Sequence, residues 1–91
     1  MIKSFRHKGL RRLWNDDDPR DVPSELVTRI KRRLSVLNAA SNLRDFDLPG
    51  LHFHPLRGTP ERCAIAVNGP WRITFAWEAG DAFRVDLEQY H

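Results

Sequence analysis

Trp71-Arg72-Ile73-Thr74-Phe75-Ala76-Trp77, then Glu78-Ala79-Gly80-Asp81, then Ala82-Phe83-Arg84-Val85-Asp86-Leu87, is the stretch whose reading decides the fold. Large apolar side chains stand at 71, 73, 75 and 77, and again at 83, 85 and 87. Successive residues of an extended chain point to opposite sides, so each run has one side to bury against a core. Joined by a short turn, the two runs read as a β-hairpin with one dry face. The opposite face carries Arg72 and Thr74 on one strand and Arg84 and Asp86 on the other, groups that suit an anionic or hydrogen-bonding partner. The tail Glu88-Gln89-Tyr90-His91 adds a phenol and an imidazole at the hairpin's end.

Working back from the hairpin, Cys63, Ile65 and Val67 alternate with Ala64, Ala66 and Asn68, and Asn68-Gly69-Pro70 turns the chain, so a strand is expected over 63–67. Leu51-His52-Phe53-His54 alternates in the same way, and Pro55 is expected to stop that strand. Leu26, Val27, Ile30, Leu34 and Leu37 recur every three or four residues behind Pro23, which suits a first helical position, so a helix is predicted over 23–40. Its outer face would hold Arg29, Lys31, Arg32 and Arg33. Leu10, Leu13 and Trp14 among Lys8, Arg11 and Arg12 predict a shorter amphipathic helix over 7–14, ended by Asn15-Asp16-Asp17-Asp18-Pro19. Residues 2–5 alternate and read as a short first strand. Strand, two helices, then three or four strands make an α+β domain in which a helical hairpin packs on one face of a small antiparallel sheet.

Ninety-one residues suffice for one core, and a single domain over 1–91 is expected. No apolar run approaches the ~20 residues of a membrane span, and the basic start leads into no apolar segment, so a cytoplasmic protein with no membrane partner is expected. Cys63 stands alone and reads as buried filler. Charge is unevenly placed: Lys3, Arg6, Lys8, Arg11 and Arg12 precede the first acid, and residues 26–44 hold bases without an acid. With a sequence pI near 9.6, such blocks fit a polyanionic partner as well as a solvated helix face.

The groups able to move protons near neutral pH are His7, His52, His54 and His91. Tyr90 can donate a proton, and Arg57, Arg62, Arg72 and Arg84 can hold a phosphate bidentately. Metal-free RNA cleavage needs a base for the 2′-hydroxyl proton, an acid for the 5′-oxygen and a cation for the phosphate. Each proton-transfer group is typically worth ~10²–10⁴ in rate. His52 and His54 on one side of a strand admit a zinc reading, but no further ligand pair completes a site, so no metal or cofactor is expected. Taken alone, Tyr90-His91 also fits a frayed end.

The string Met1-Ile2-Lys3-Ser4-Phe5, His7-Lys8-Gly9-Leu10, His54-Pro55-Leu56-Arg57-Gly58, Trp71-Arg72-Ile73-Thr74-Phe75 and Tyr90-His91 resembles, in register, the HigB toxins of the RelE superfamily. The resemblance implies a RelE-like fold and the activity of a type II toxin, a ribosome-dependent endoribonuclease that cuts mRNA in the decoding site. Its implied partners are a helix-turn-helix HigA-like antitoxin, in a hetero-oligomer, and the ribosome with its mRNA. Carried over by position, His54, Tyr90 and His91 would be active-site residues and Arg72 would face the scissile phosphate. Arg57, where the family has Lys, would keep a phosphate contact, and Lys8, Arg32 and Arg33 would add dispersed ones. The family's acid before the terminal pair is Gln89 here, with Glu88 one position earlier and expected on the wrong side of the extended backbone. Two other classes stay open: a non-catalytic ParE-like toxin acting on a protein target, and an RNA-binding module with a disabled site.

Overall fold

The computed structural model describes residues 1–59 and 61–90. Helices α1 (Lys8–Asp16) and α2 (Val27–Ala39) precede strands β1 (His54–Leu56), β2 (Arg62–Asn68), β3 (Trp71–Glu78) and β4 (Asp81–Gln89). The strands form an antiparallel meander in the order β1-β2-β3-β4. Leu10 and Leu13 of α1 and Ile30, Leu34 and Leu37 of α2 pack on Ile65, Val67, Ile73, Phe75, Val85 and Leu87. Both helices therefore cover one face of the sheet, and the expected α+β layering holds. No helix among the described residues is long and apolar enough to cross a membrane.

The local sequence explains the elements. His7 caps α1, its Nδ1 accepting from the Leu10 N–H at 3.1 Å, and Asp17 ends the helix in the left-handed region. The helix thus runs two residues past the expected end, into the acidic stretch. That stretch is tied to bases: Lys31 to Asp17, Arg20 to Asp18, and Arg12 to Asp21. The segment read as the start of the long helix is a 3-10 turn, Ser24–Leu26, and α2 begins at Val27. Phe46, from a second 3-10 turn between α2 and β1, lies 5.3–5.4 Å from the rings of Phe53, Phe75 and Trp77 and closes the core at that end.

Three expectations change. The strand predicted over 51–54 instead begins at His54 and runs through Pro55, which pairs with Cys63. β1 is an edge strand, where a missing N–H costs the ladder nothing. His52 has φ 47° and lies outside the strand, so the two imidazoles do not share one side of it.

Second, β4 does not alternate throughout. Thr74 pairs with Asp86 but Ala76 pairs with Phe83, so Phe75 faces two residues, Arg84 and Val85, and Arg84 takes φ 49°. This bulge turns Phe83 off the core face and buries Ala82 in its place.

Third, residues 2–5 form no regular strand but run parallel along the outer edge of β4. Isolated bridges join Ile2 to Ala82, just before the bulge, and Phe5 to Val85, within it. The extra residue in β4 lets Ile2 and Phe5, three positions apart, both pack on the core.

Candidate active site

The face of the sheet away from the helices is built in rows by the strand register. His54, Ala64, Thr74 and Asp86 form one row across all four strands, and Ala66, Arg72 and Glu88 form the next. Rows lie two residues apart, about 7 Å along a strand. Alanines at 64, 66 and 76 keep this face low, so the longer arginine and glutamate side chains cover it.

A chain of hydrogen bonds crosses the face. One Arg62 nitrogen, Nη2, donates to Thr74 Oγ1 at 2.9 Å and to the Arg84 carbonyl at 2.9 Å. The fully buried Thr74 hydroxyl donates onward to Glu88 Oε2 at 2.5 Å. Burial, and the neighbouring Arg6, hold the Arg62 guanidinium below its ordinary pKa, while Glu88 and Asp86 oppose that shift. Its other terminal nitrogen is buried without a partner among the described residues.

Arg72 and Tyr90 meet at the end of this face. The Arg72 guanidinium carbon lies 5.6 Å from the centre of the Tyr90 ring, a cation–π arrangement. Arg72 Nη1 donates to the carbonyls of Gly69, at 2.6 Å, and Trp71, at 2.9 Å, which fix its direction. The Tyr90 N–H donates to the Pro70 carbonyl at 2.8 Å, pinning the tail to the β2–β3 turn. The Tyr90 hydroxyl is buried and unpartnered among the described residues. Burial, then the Glu88 charge, raise its pKa above the ordinary phenol value, with Arg72 and Arg62 opposing.

His54 is exposed at the start of β1, with Nδ1 3.1 Å from the His52 carbonyl. A carbonyl only accepts, so this bond places the proton on Nδ1 and leaves Nε2 as the acceptor of the neutral ring. Arg57 is exposed just past β1. Lys8 and Arg32 are exposed on the helical layer rather than on this face. Arg33 is half-buried, Nε donating to the Ala66 carbonyl at 2.9 Å. His91 lies outside the described residues.

Two sequence expectations about this face are revised. Arg84, at the bulge, does not stand beside Thr74; its carbonyl takes the hydrogen bond from Arg62 instead. Glu88 is not on the wrong side: it pairs with Arg72 and bonds Thr74, while Gln89 is opposite Trp71 on the other side of the strand. The signal for Glu88 was present, since counting by two from Asp86 reaches it. Among the described residues no group of three His, Cys, Asp or Glu is arranged to hold a metal ion.

The comparisons with known proteins agree over the whole chain. Residues 3–91 match the family model of the HigB-like toxins, described as the RelE-like toxin of the type II toxin–antitoxin system HigB. The chain is 39% identical to the endoribonuclease HigB of Proteus vulgaris over 92 residues, covering 100% of both chains. It is 32% identical to toxin HigB-1 of Vibrio cholerae serotype O1, over 99% of this chain and 98% of that one. The chain belongs to the HigB-like family of RelE-like toxins from type II toxin–antitoxin systems, and so has an antitoxin as partner.

Proposed function

We propose that the protein is a ribosome-dependent endoribonuclease, cutting mRNA in the decoding site by acid–base chemistry that uses no metal. The observation that carries this reading is the Arg72–Tyr90 contact on the open face beside Glu88, in a chain alignable end to end with a relative named as an endoribonuclease. Arg72 supplies the cation that meets charge developing on phosphorus; a donor so placed is typically worth ~10²–10³ in rate. Tyr90, kept protonated by its surroundings, donates a hydrogen bond or proton to a phosphate oxygen. His54, with Nε2 open, takes the 2′-hydroxyl proton, and His91 serves as the acid for the leaving 5′-oxygen. Arg57 holds a neighbouring phosphate, with Lys8, Arg32 and Arg33 adding weaker contacts to RNA.

On this reading the toxin works in the cytoplasm, and a helix-turn-helix HigA-like antitoxin silences it within a hetero-oligomer. The test is primer extension on a reporter mRNA after brief induction. Wild-type protein yields new 5′ ends in one register with the codons, co-expressed antitoxin removes them, and Arg72→Ala yields none while staying folded by circular dichroism. Growth arrest without such ends would refute the reading.

A further inference from the structure

Beside the open face lies a cleft of about 360 Å³ between α2, the turn at 50–52 and the β2–β3 turn. Arg29, Arg33, Arg72, His52 and Asn68 line it, and none of its lining residues is acidic. Each guanidinium is aimed by a backbone carbonyl. Arg33 Nε bonds the Ala66 carbonyl, Arg72 Nη1 bonds Gly69 and Trp71, and Arg29 Nη1 lies 3.4 Å from the Val67 carbonyl and 3.3 Å from Asn68 Oδ1. A guanidinium carries five N–H donors, so these anchors leave both terminal nitrogens of Arg33 and one each of Arg29 and Arg72 unspent among the described residues.

The absence of acids here contrasts with four bases elsewhere on the surface. Arg6, Arg12, Arg20 and Lys31 each have an aspartate within ion-pairing distance. Around the cleft like charges are instead left together: burial, then Arg29 and Arg32, lower the pKa of Arg33. An anion bound between the arginines would relieve that repulsion, and forked donors suit a phosphate.

We propose that this cleft binds a phosphodiester of the mRNA strand next to the cleavage point, with Arg29, Arg33 and His52 as its contacts and Arg72 shared with the site. The inference rests on the endoribonuclease reading for the identity of the strand. Arg72 both lies over Tyr90 and lines the cleft. Because Arg29 and Arg33 line the same cleft, a strand held at Arg72 has its neighbouring phosphate to offer to them. Interactions of this kind fix register and carry no base preference.

The experiment measures binding of a short single-stranded RNA, made uncleavable by one 2′-deoxy residue at the cleavage point, by fluorescence anisotropy over a range of salt. Removing the cations that neutralise one phosphate should flatten the log–log salt dependence by ~0.7 for a single strand. The Arg29→Gln/Arg33→Gln protein should show one such step, and so should Arg29→Glu, which gives up the Val67 and Asn68 contacts, with a wild-type circular dichroism spectrum showing that the fold is kept. A single neutral methylphosphonate is then walked along the RNA. At one position beside the cleavage point it should weaken wild-type binding and leave binding of the double variant unchanged.

An unaltered salt slope in both variants overturns the proposal. So does weakened binding to empty ribosomes with the methylphosphonate effect intact, which would assign the cleft to ribosomal RNA. Because binding is read without chemistry, loss of the in-frame 5′ ends in cells would defeat the cleavage reading and leave this result standing.

Discussion

Thr74 and Glu88 are not direct cross-strand partners, yet the threonine hydroxyl reaches diagonally across the β3–β4 ladder to the glutamate carboxylate at 2.5 Å. Since Arg62 donates to the same hydroxyl, one fully buried oxygen joins a cation on β2 to an anion on β4. Thr74→Val keeps the shape and removes that link. It should destabilise the protein by about 1–3 kcal/mol, the range for leaving buried polar partners unsatisfied, read from urea denaturation. Unchanged stability would show that the relay is not formed in solution.

The same relationship separates Glu88 from its neighbour. Glu88→Gln should reduce cleavage on programmed ribosomes, because the acid on the site face is lost. Gln89→Asp should leave cleavage within about twofold of wild type, since that residue sits opposite Trp71, away from Arg72. A large gain from Gln89→Asp would mean that the tail rotates when RNA binds.

Tyr90 is the sole tyrosine, so its ionisation can be followed by ultraviolet absorbance without interference. Burial and Glu88 favour its neutral form, and it should titrate above free tyrosine. A raised folded-state pKa contributes stability that is complete below the unfolded tyrosine value and is lost as pH rises through the folded one. Stability should therefore fall across the alkaline range, and Tyr90→Phe should flatten that fall. Titration at the ordinary value would place the ring in solvent.

Arg84 holds a left-handed backbone that side chains with a branched β-carbon tolerate poorly. Arg84→Val should cost about 1–2 kcal/mol relative to Arg84→Gly. Equal stabilities would indicate a regular β4 without the bulge.

Gly9 supplies a test in the helical layer. A β-carbon there would come within 2.6 Å of the Asp21 carbonyl oxygen and 2.9 Å of the Asp21 β-carbon. Helix propensity alone favours alanine by about 1 kcal/mol. Overpacking typically costs about 1–3 kcal/mol and here meets backbone, so Gly9→Ala should lower the melting temperature. A rise would show that the 17–22 loop can move aside.

The α+β layering and the terminal hairpin were legible because apolar periodicity reports directly on which side of an element is buried. Thr74 and Arg72 fell on the open face for the same reason. The rest depended on single backbone events that periodicity does not encode. One extra residue at Arg84 exchanged Phe83 for Ala82 in the core, and an edge position let Pro55 stay within a strand. Arg33 read as solvated because its spacing on α2 says nothing of a carbonyl on β2 within reach of its Nε.

The pairing of residues 2–5 with β4 has a consequence for the order in which the toxin is made. Ser4 Oγ accepts the N–H of Arg84, 80 positions along the chain, and the bulge that shapes the open face sits at that junction. A nascent chain leaves the ribosome from its N-terminus, so these first residues wait unpaired until almost the last strand has emerged. The helices can form earlier from local contacts, while the face that would meet RNA closes through the most distant ones. Synthesis itself thus sets an order of completion, with the helical layer first and the open face last.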